Sequence, residues 1–223
     1  MPMLPWKEIR TVLLDMDGTL LDLHFDNHFW MEYVPKKWAE KEGISLEKAH
    51  ALMDVEYKRV MGQLEWYCLD YWSDKLGLDI RRLKREIQHL ISMRPDTLPF
   101  LDALHESGRE VVLVTNAHPD SLSLKIERTQ LDRHIKTLIS THEFGVTKES
   151  QELWEKLHQR LQFDPAKTLF VDDSLGILQA SSTFGVAYQL AVINPDSQRP
   201  NRDINDWPAT SDYREFLDDI RAN

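Results

Sequence analysis

From residue 97 to residue 192 this chain alternates segments of helical length with short apolar runs, and that alternation leaves few architectures open. The runs are Val111-Val112-Leu113-Val114, Thr168-Leu169-Phe170-Val171 and residues 186–192, with a weaker one at 135–139. Residues 97–106, 120–130, 149–161 and 175–184 carry the helical patterns. Strand and helix in turn indicate βαβ units and a largely parallel sheet. Right-handed crossovers then cover both faces, so the strands are apolar throughout rather than alternating. An earlier run, Thr11-Val12-Leu13-Leu14, is predicted as one more buried strand.

That first strand stands apart, because residues 23–94 are too many for an ordinary connection. The intervening stretch reads as helices at 25–38, 45–61, 65–76 and 79–91, with Gly62 and Gly77 as breakers. Ser45 reads as a helix start, although Lys48 occupies the position where a capping box has Glu. Trp30, Trp38, Trp66 and Trp72 lie in this stretch with Tyr33, Tyr57, Tyr67 and Tyr71. Such an aromatic load lets a small helical unit bury enough area to hold together. The expected organisation is a catalytic core from residues 1–21 and 95–223, with 22–94 inserted as an all-helical cap. Residues 194–201 read as a polar surface loop, and Asp212, with Glu215 three later, as the cap of a last helix ending near Arg221.

Two carboxylates end the first strand, in Asp15-Met16-Asp17-Gly18-Thr19. Open α/β sheets place their chemistry at the carboxyl ends of strands. Spacing of two brings both acids to one side of the emerging chain, and Gly18 allows a tight turn beside a ligand. A hard cation fits the Asp15 carboxylate and the backbone oxygen of Asp17, leaving the Asp17 carboxyl free to move a proton. Asp15 is the expected nucleophile. Two acids capping a turn is the plainer alternative; a calcium hand would need a twelve-residue oxygen-rich loop that Leu20-Leu21-Asp22-Leu23 does not supply.

Asp172-Asp173 repeats the arrangement after the run 169–171. Adjacent carboxylates are costly without a cation, so the pair completes a Mg²⁺ site, Asp173 as direct ligand and Asp172 behind it. A helix-capping pair remains open, and Ser174 reads as the cap of the helix that follows. Thr115 and Asn116 end another strand, where a hydroxyl, an amide and backbone N–H groups can hold phosphate oxygens. Lys148 can neutralise both the nucleophile and a phosphate. His118 is a candidate to touch substrate or leaving group. Trp30, Trp66 and Tyr67 are candidates to stack on a base from the cap, although each could simply pack it.

Composition narrows the partner. Twenty-seven basic against 37 acidic residues give a net charge of −10, which repels polyanions and argues against a nucleic-acid polymer. No run approaches the length of a membrane span, and the first residues lack the pattern of a secretory signal. A single cysteine, Cys68, suits a reducing compartment, so a cytoplasmic protein is expected. Neither a Gly-x-Ser-x-Gly elbow, nor a phosphate-binding Gly-rich loop with Lys, nor His-Glu-x-x-His spacing is present.

Taken together and in order, Asp15-Met16-Asp17-Gly18-Thr19, Thr115-Asn116, Lys148 and Asp172-Asp173 resemble the four motifs of the haloacid dehalogenase-like (HAD) superfamily, phosphatase branch. The resemblance spans essentially the whole chain. It implies a three-layer α/β/α Rossmannoid core with parallel strand order 3-2-1-4-5, a helical cap after the first strand, and Mg²⁺. It implies further that Asp15 forms an aspartyl-phosphate and that Asp17 protonates the leaving oxygen before activating water. Asp17 argues against the dehalogenase branch, which generally lacks it; Glu149 stands where many relatives have Pro. Trp66-Tyr67-Cys68-Leu69-Asp70-Tyr71-Trp72-Ser73, Thr115-Asn116-Ala117-His118-Pro119 and Asn194-Pro195-Asp196-Ser197 are similar to the bacterial purine 5′-nucleotidases. That narrower resemblance implies GMP and IMP as substrates. A sugar-phosphate or other small-metabolite phosphatase is the alternative within the fold, and an inactive phospho-ligand-binding scaffold the alternative outside catalysis.

Overall fold

A computed structural model describes residues 4–204 and 206–223, so the first three residues of the expected core lie outside the described part. In chain order the elements are β1 (Thr11–Leu14), α1 (His24–His28), α2 (Val34–Glu42), α3 (Leu46–Val60), α4 (Leu64–Tyr67), α5 (Leu69–Leu76), α6 (Ile80–Glu86), α7 (Thr97–Glu106) and β2 (Glu110–Thr115). They continue as α8 (Pro119–Thr129), β3 (Thr137–Ser140), α9 (Gln151–Leu161), β4 (Thr168–Asp172), α10 (Leu175–Phe184), β5 (Tyr188–Val192), β6 (Ala209–Thr210) and α11 (Leu217–Ala222). The sheet runs β3-β2-β1-β4-β5-β6, parallel at every pairing. The expected order 3-2-1-4-5 is therefore present, with a sixth strand added at one edge.

Period-two geometry makes the three layers. Val12 and Leu14 share one buried cluster with Val111, Leu113, Leu169, Val171, Leu190 and Val192, closed by Phe100 and Leu104 of α7 and Ile220 of α11. Leu13 points the other way with Val112, Val114, Phe170 and Ala191, against Trp154 and Leu157 of α9 and Leu178 of α10. Each Val, Leu, Ile or Phe among them contributes about 1.5–3 kcal/mol when fully buried, which is why both faces must be covered. Register then fixes chemistry: Leu14 pairs with Leu113 and Val171, so Asp15, Thr115 and Asp172 emerge together at the carboxyl end of the sheet.

The insert between β1 and α7 is helical, and its core is aromatic. Trp72 is buried, with Trp30 5.7 Å and Tyr57 5.2 Å away between ring centroids. Pro35 has no N–H to offer the preceding turn, and the helix widens into a π turn over Phe29–Tyr33 just before it. Ser45 caps α3 by accepting from the Lys48 N–H at 3.1 Å. The single helix expected at 65–76 is instead two, broken at Cys68 in extended conformation. The Trp72 indole donates to the Trp66 carbonyl at 2.9 Å and so holds the corner that the break creates.

Other boundaries shift further: the helix expected to end at 38 runs on to Glu42, and the one expected at 79–91 ends at Glu86 before a short 3-10 turn. Ser150, not Glu149, precedes α9 as its cap, and Ser174 makes no side-chain cap to α10. Asp212 does cap the final segment, accepting from the Arg214 N–H at 2.9 Å. Among the described residues no helix is long and apolar enough to cross a membrane.

Candidate active site

Lys148 lies at the centre of the acidic residues. Its Nζ donates to Asp15 Oδ1 at 2.7 Å, Asp172 Oδ2 at 3.0 Å and the Val114 carbonyl at 3.1 Å, with the side chain fully buried. Burial opposes its charge, but Asp15 and Asp172 outweigh that and hold the proton more tightly than usual. The backbone arranges this from outside: Asn116 Oδ1 accepts from the Lys148 N–H at 2.9 Å and the Thr141 hydroxyl at 3.0 Å, and the Lys148 carbonyl accepts from Trp154 Nε1 at 2.9 Å. Asn116 also donates to Glu149 Oε1 at 2.8 Å. The sequence placed Asn116 at phosphate; the structure commits most of its amide to holding the Lys148 segment.

Asp15 has its second oxygen occupied as well, accepting from the Thr19 hydroxyl at 2.9 Å. Its carboxylate meets those of Asp172 and Asp173 so that one oxygen from each lies within 4.8 Å of the others. Burial, then Asp15, pushes Asp172 up to about 6, with Lys148 opposing. Burial and both neighbouring acids also raise Asp173 well above its ordinary value. Three crowded carboxylates with only one lysine among them call for a cation, and an all-oxygen donor set suits Mg²⁺. Gly18, at φ +84°, leaves the room this needs, since a Cβ there would lie 2.6 Å from Asp173 Oδ2. The residues fit Mg²⁺. Asp172 spends its oxygens on Lys148 and the Ser174 N–H, the latter at 2.8 Å.

Asp17 turns away from that cluster. Its Oδ1 accepts from Lys125 Nζ at 2.6 Å, leaving its backbone oxygen as the atom the sequence assigned to the cation. Lys125 is buried and spends its remaining reach on Asp26, 2.7 Å from each carboxylate oxygen. Burial, then Asp26, pushes the Asp17 carboxyl up to about 6, with Lys125 pulling the other way. Sequence reasoning missed Lys125. The available signal was weak: a lysine beside Leu124 on the apolar side of α8, where Ser121 and Leu124 are also buried.

These groups open into a cavity of about 410 Å³, whose far wall is the cap. Trp30, Trp66 and Tyr67 all line it, together with Tyr57, Trp72 and Lys84. Trp30 and Trp66 also pack the aromatic cluster, so packing and lining are properties of the same rings. Tyr67 donates to Glu149 Oε2 at 3.2 Å and thereby joins cap to core. Thr115 lines the cavity too, its Oγ1 accepting from the Ala117 N–H at 3.1 Å.

His118 is not part of this wall. Its Nδ1 accepts from the Asp120 N–H at 3.0 Å, making it the cap of α8, and its Nε2 faces Asp70 at 3.5 Å. Capping therefore occupies Nδ1, and the ring lies outside the residues that line the cavity. Cys68, Asp70 and His118 do converge, but an Nδ1 that accepts a backbone N–H keeps the proton on Nε2, the opposite of what a metal-bound imidazole requires.

Comparison with known proteins agrees with this geometry. The family model for haloacid dehalogenase-like hydrolase matches residues 9–185. GMP/IMP nucleotidase YrfG of Escherichia coli (strain K12) is 47% identical over 212 residues, covering 95% of this chain and 96% of that protein. (S)-2-haloacid dehalogenase 2 of a Pseudomonas species is 24% identical, covering 84% of this chain and 85% of that one. Among solved structures, the HAD phosphatase from Thermococcus onnurineus superposes with a TM-score of 0.77 at 21% identity, covering 95% of this chain and 98% of that one. This chain belongs to the haloacid dehalogenase-like hydrolases.

Proposed function

We propose that this protein hydrolyses purine nucleoside 5′-monophosphates, GMP and IMP among them, to nucleoside and phosphate. The observation that carries the reading is the joining of two features in one cavity: the Asp15–Lys148–Asp172 arrangement at its floor and an aromatic wall opposite. The relative at 47% identity, by its name a GMP/IMP nucleotidase, supports the same substrate class. Residues 22–94 act as the cap, opening for exchange over a core formed by 1–21 and 95–223. The chain acts in the cytoplasm, where a lone thiol stays reduced.

Asp15 and Asp173 would hold Mg²⁺, with the backbone oxygen of Asp17, and Asp172 would orient that set. When bound, the ion supplies positive charge that offsets repulsion between an anionic phosphate and the nucleophile. Lys148 fixes one Asp15 oxygen and the Thr19 hydroxyl the other, so the carboxylate keeps one orientation during attack. An Asp15 oxygen bonds to phosphorus as the bond from phosphorus to the ribose oxygen breaks. The Thr115 hydroxyl and nearby backbone N–H groups steady the equatorial oxygens. Asp17 gives its proton to the departing ribose oxygen, a role its raised affinity favours near neutrality. Ionised Asp17 then takes a proton from water, whose oxygen attacks phosphorus; the bond to Asp15 breaks and phosphate leaves.

A panel of GMP, IMP, AMP, pyrimidine nucleotides and sugar phosphates, with and without Mg²⁺, tests the reading. Mg²⁺-dependent turnover led by GMP and IMP is expected. A sugar phosphate leading the panel would replace the substrate assignment, and no turnover on any member would leave a binding protein.

A further inference from the structure

The mechanism leaves one buried cation unused. Lys84, on α6 of the cap, is 3% exposed and lines the cavity. Its ammonium stands over three rings, 4.5 Å from the centroid of Phe29, 5.2 Å from Phe25 and 5.5 Å from Trp30. No carboxylate, carbonyl or hydroxyl makes a hydrogen bond with it among the described residues. Asp26 is the acid that acts on it most strongly, and each Asp26 oxygen accepts from Lys125 and not from Lys84. Burial pulls the Lys84 ammonium down to about 8, with Asp26 opposing, so the group stays charged near neutrality.

An ammonium carries three donors and no acceptor. Aromatic faces satisfy its charge but not its directional N–H bonds. A ligand group placed beside it must therefore accept. GMP and IMP share an acceptor at the purine 6-position, a carbonyl oxygen, next to the N7 acceptor; AMP carries an amino donor there. Aromatic rings of the cap, Trp30 and Trp66 among them, offer flat faces to a base in the same cavity.

We propose that Lys84 is a specificity-determining residue that donates to the 6-oxo group of a 6-oxopurine nucleotide and thereby disfavours 6-aminopurines. The inference rests on the purine-nucleotide reading above and adds to it a named donor and a rule of discrimination. A donor-only group facing a donor leaves both unsatisfied, and sites that read a polar group discriminate far more strongly than apolar pockets do.

The experiment measures kcat/KM for IMP, GMP, AMP and purine riboside 5′-monophosphate, which lacks any 6-substituent, on the wild-type protein, Lys84→Met and Lys84→Gln. Ratios between substrates within one protein do not depend on the fraction correctly folded. The wild-type protein is expected to favour IMP over AMP. Lys84→Met should lower that ratio about tenfold or more, chiefly by slowing IMP and GMP towards the rate of the unsubstituted purine. Lys84→Gln, whose amide can donate or accept, should lower it by raising the relative rate on AMP. An unchanged IMP/AMP ratio in both variants, or an equal fall on all four nucleotides, would overturn the assignment, the second indicating a purely packing role. Wild-type protein with no preference for 6-oxopurines would likewise overturn the assignment, whereas wild-type protein that turned over none of the four would defeat the substrate reading itself.

Discussion

Lys125 of the core stands 2.6 Å from the Asp17 carboxylate, with its side chain 3% exposed. The same ammonium binds Asp26 of the cap, so one buried cation ties Asp17 of the core to the lid. Replacing it by Met leaves two carboxylates, 20% and 18% exposed, facing each other without their cation. Breaking a fully buried pair costs on the order of 3–5 kcal/mol, and the partial exposure of these two acids brings the loss towards about 1–3 kcal/mol. Lys125→Met should lose stability on that scale in urea unfolding, and Lys125→Met with Asp26→Leu should recover part of it. If the two substitutions instead add their costs, Lys125 and Asp26 do not act as a pair.

Gly18 contributes by what it lacks. Alanine there would need φ +84°, and its Cβ would press within 2.6 Å of Asp173 Oδ2. Backbone strain of about 1–3 kcal/mol accompanies a displaced carboxylate. Gly18→Ala should raise the Mg²⁺ concentration for half-maximal activity about tenfold or more, the scale of other disturbances around metal ligands. A magnesium titration that superimposes on the wild type would contradict the placement of Asp173 as a ligand.

The cap carries its own pH dependence. Hydrogen bonds from Arg59 and Tyr71 hold the Glu56 carboxyl down to about 2, against an ordinary value of 4.5. A folded-state value below the unfolded one stabilises the fold above pH 4.5, and the gain disappears as pH falls towards 2. The stability difference between wild type and Glu56→Gln, followed by tryptophan fluorescence, should therefore shrink across that window. A difference constant with pH would remove Glu56 as its source.

Much of this was legible in the sequence because it rests on local pattern. Thr11–Leu14 and its parallel neighbours are continuous apolar runs, and each acid at the site follows such a run. Ala209–Thr210 escaped notice because two residues carry no periodicity; the edge of β5 decides their pairing. The break at Cys68 has neither Gly nor Pro to announce it, and depends on the contact from Trp72 to the Trp66 carbonyl. Lys125 and Lys84 are the sharper cases. A lysine in a helical pattern reads as solvated, and only tertiary packing puts one between Asp17 and Asp26 and the other among three rings. The commitment of Asn116 to the Lys148 segment is likewise a long-range property, joining two loops.

If Asp15 is the nucleophile, its acyl phosphate can be trapped. Wild-type protein turning over IMP with Mg²⁺, quenched in acid and digested, should yield one phosphorylated peptide containing Asp15, absent from Asp15→Asn, whose phosphate release should fall about a thousandfold or more. Phosphate carried on another residue, or undiminished turnover by a folded Asp15→Asn protein, would contradict it.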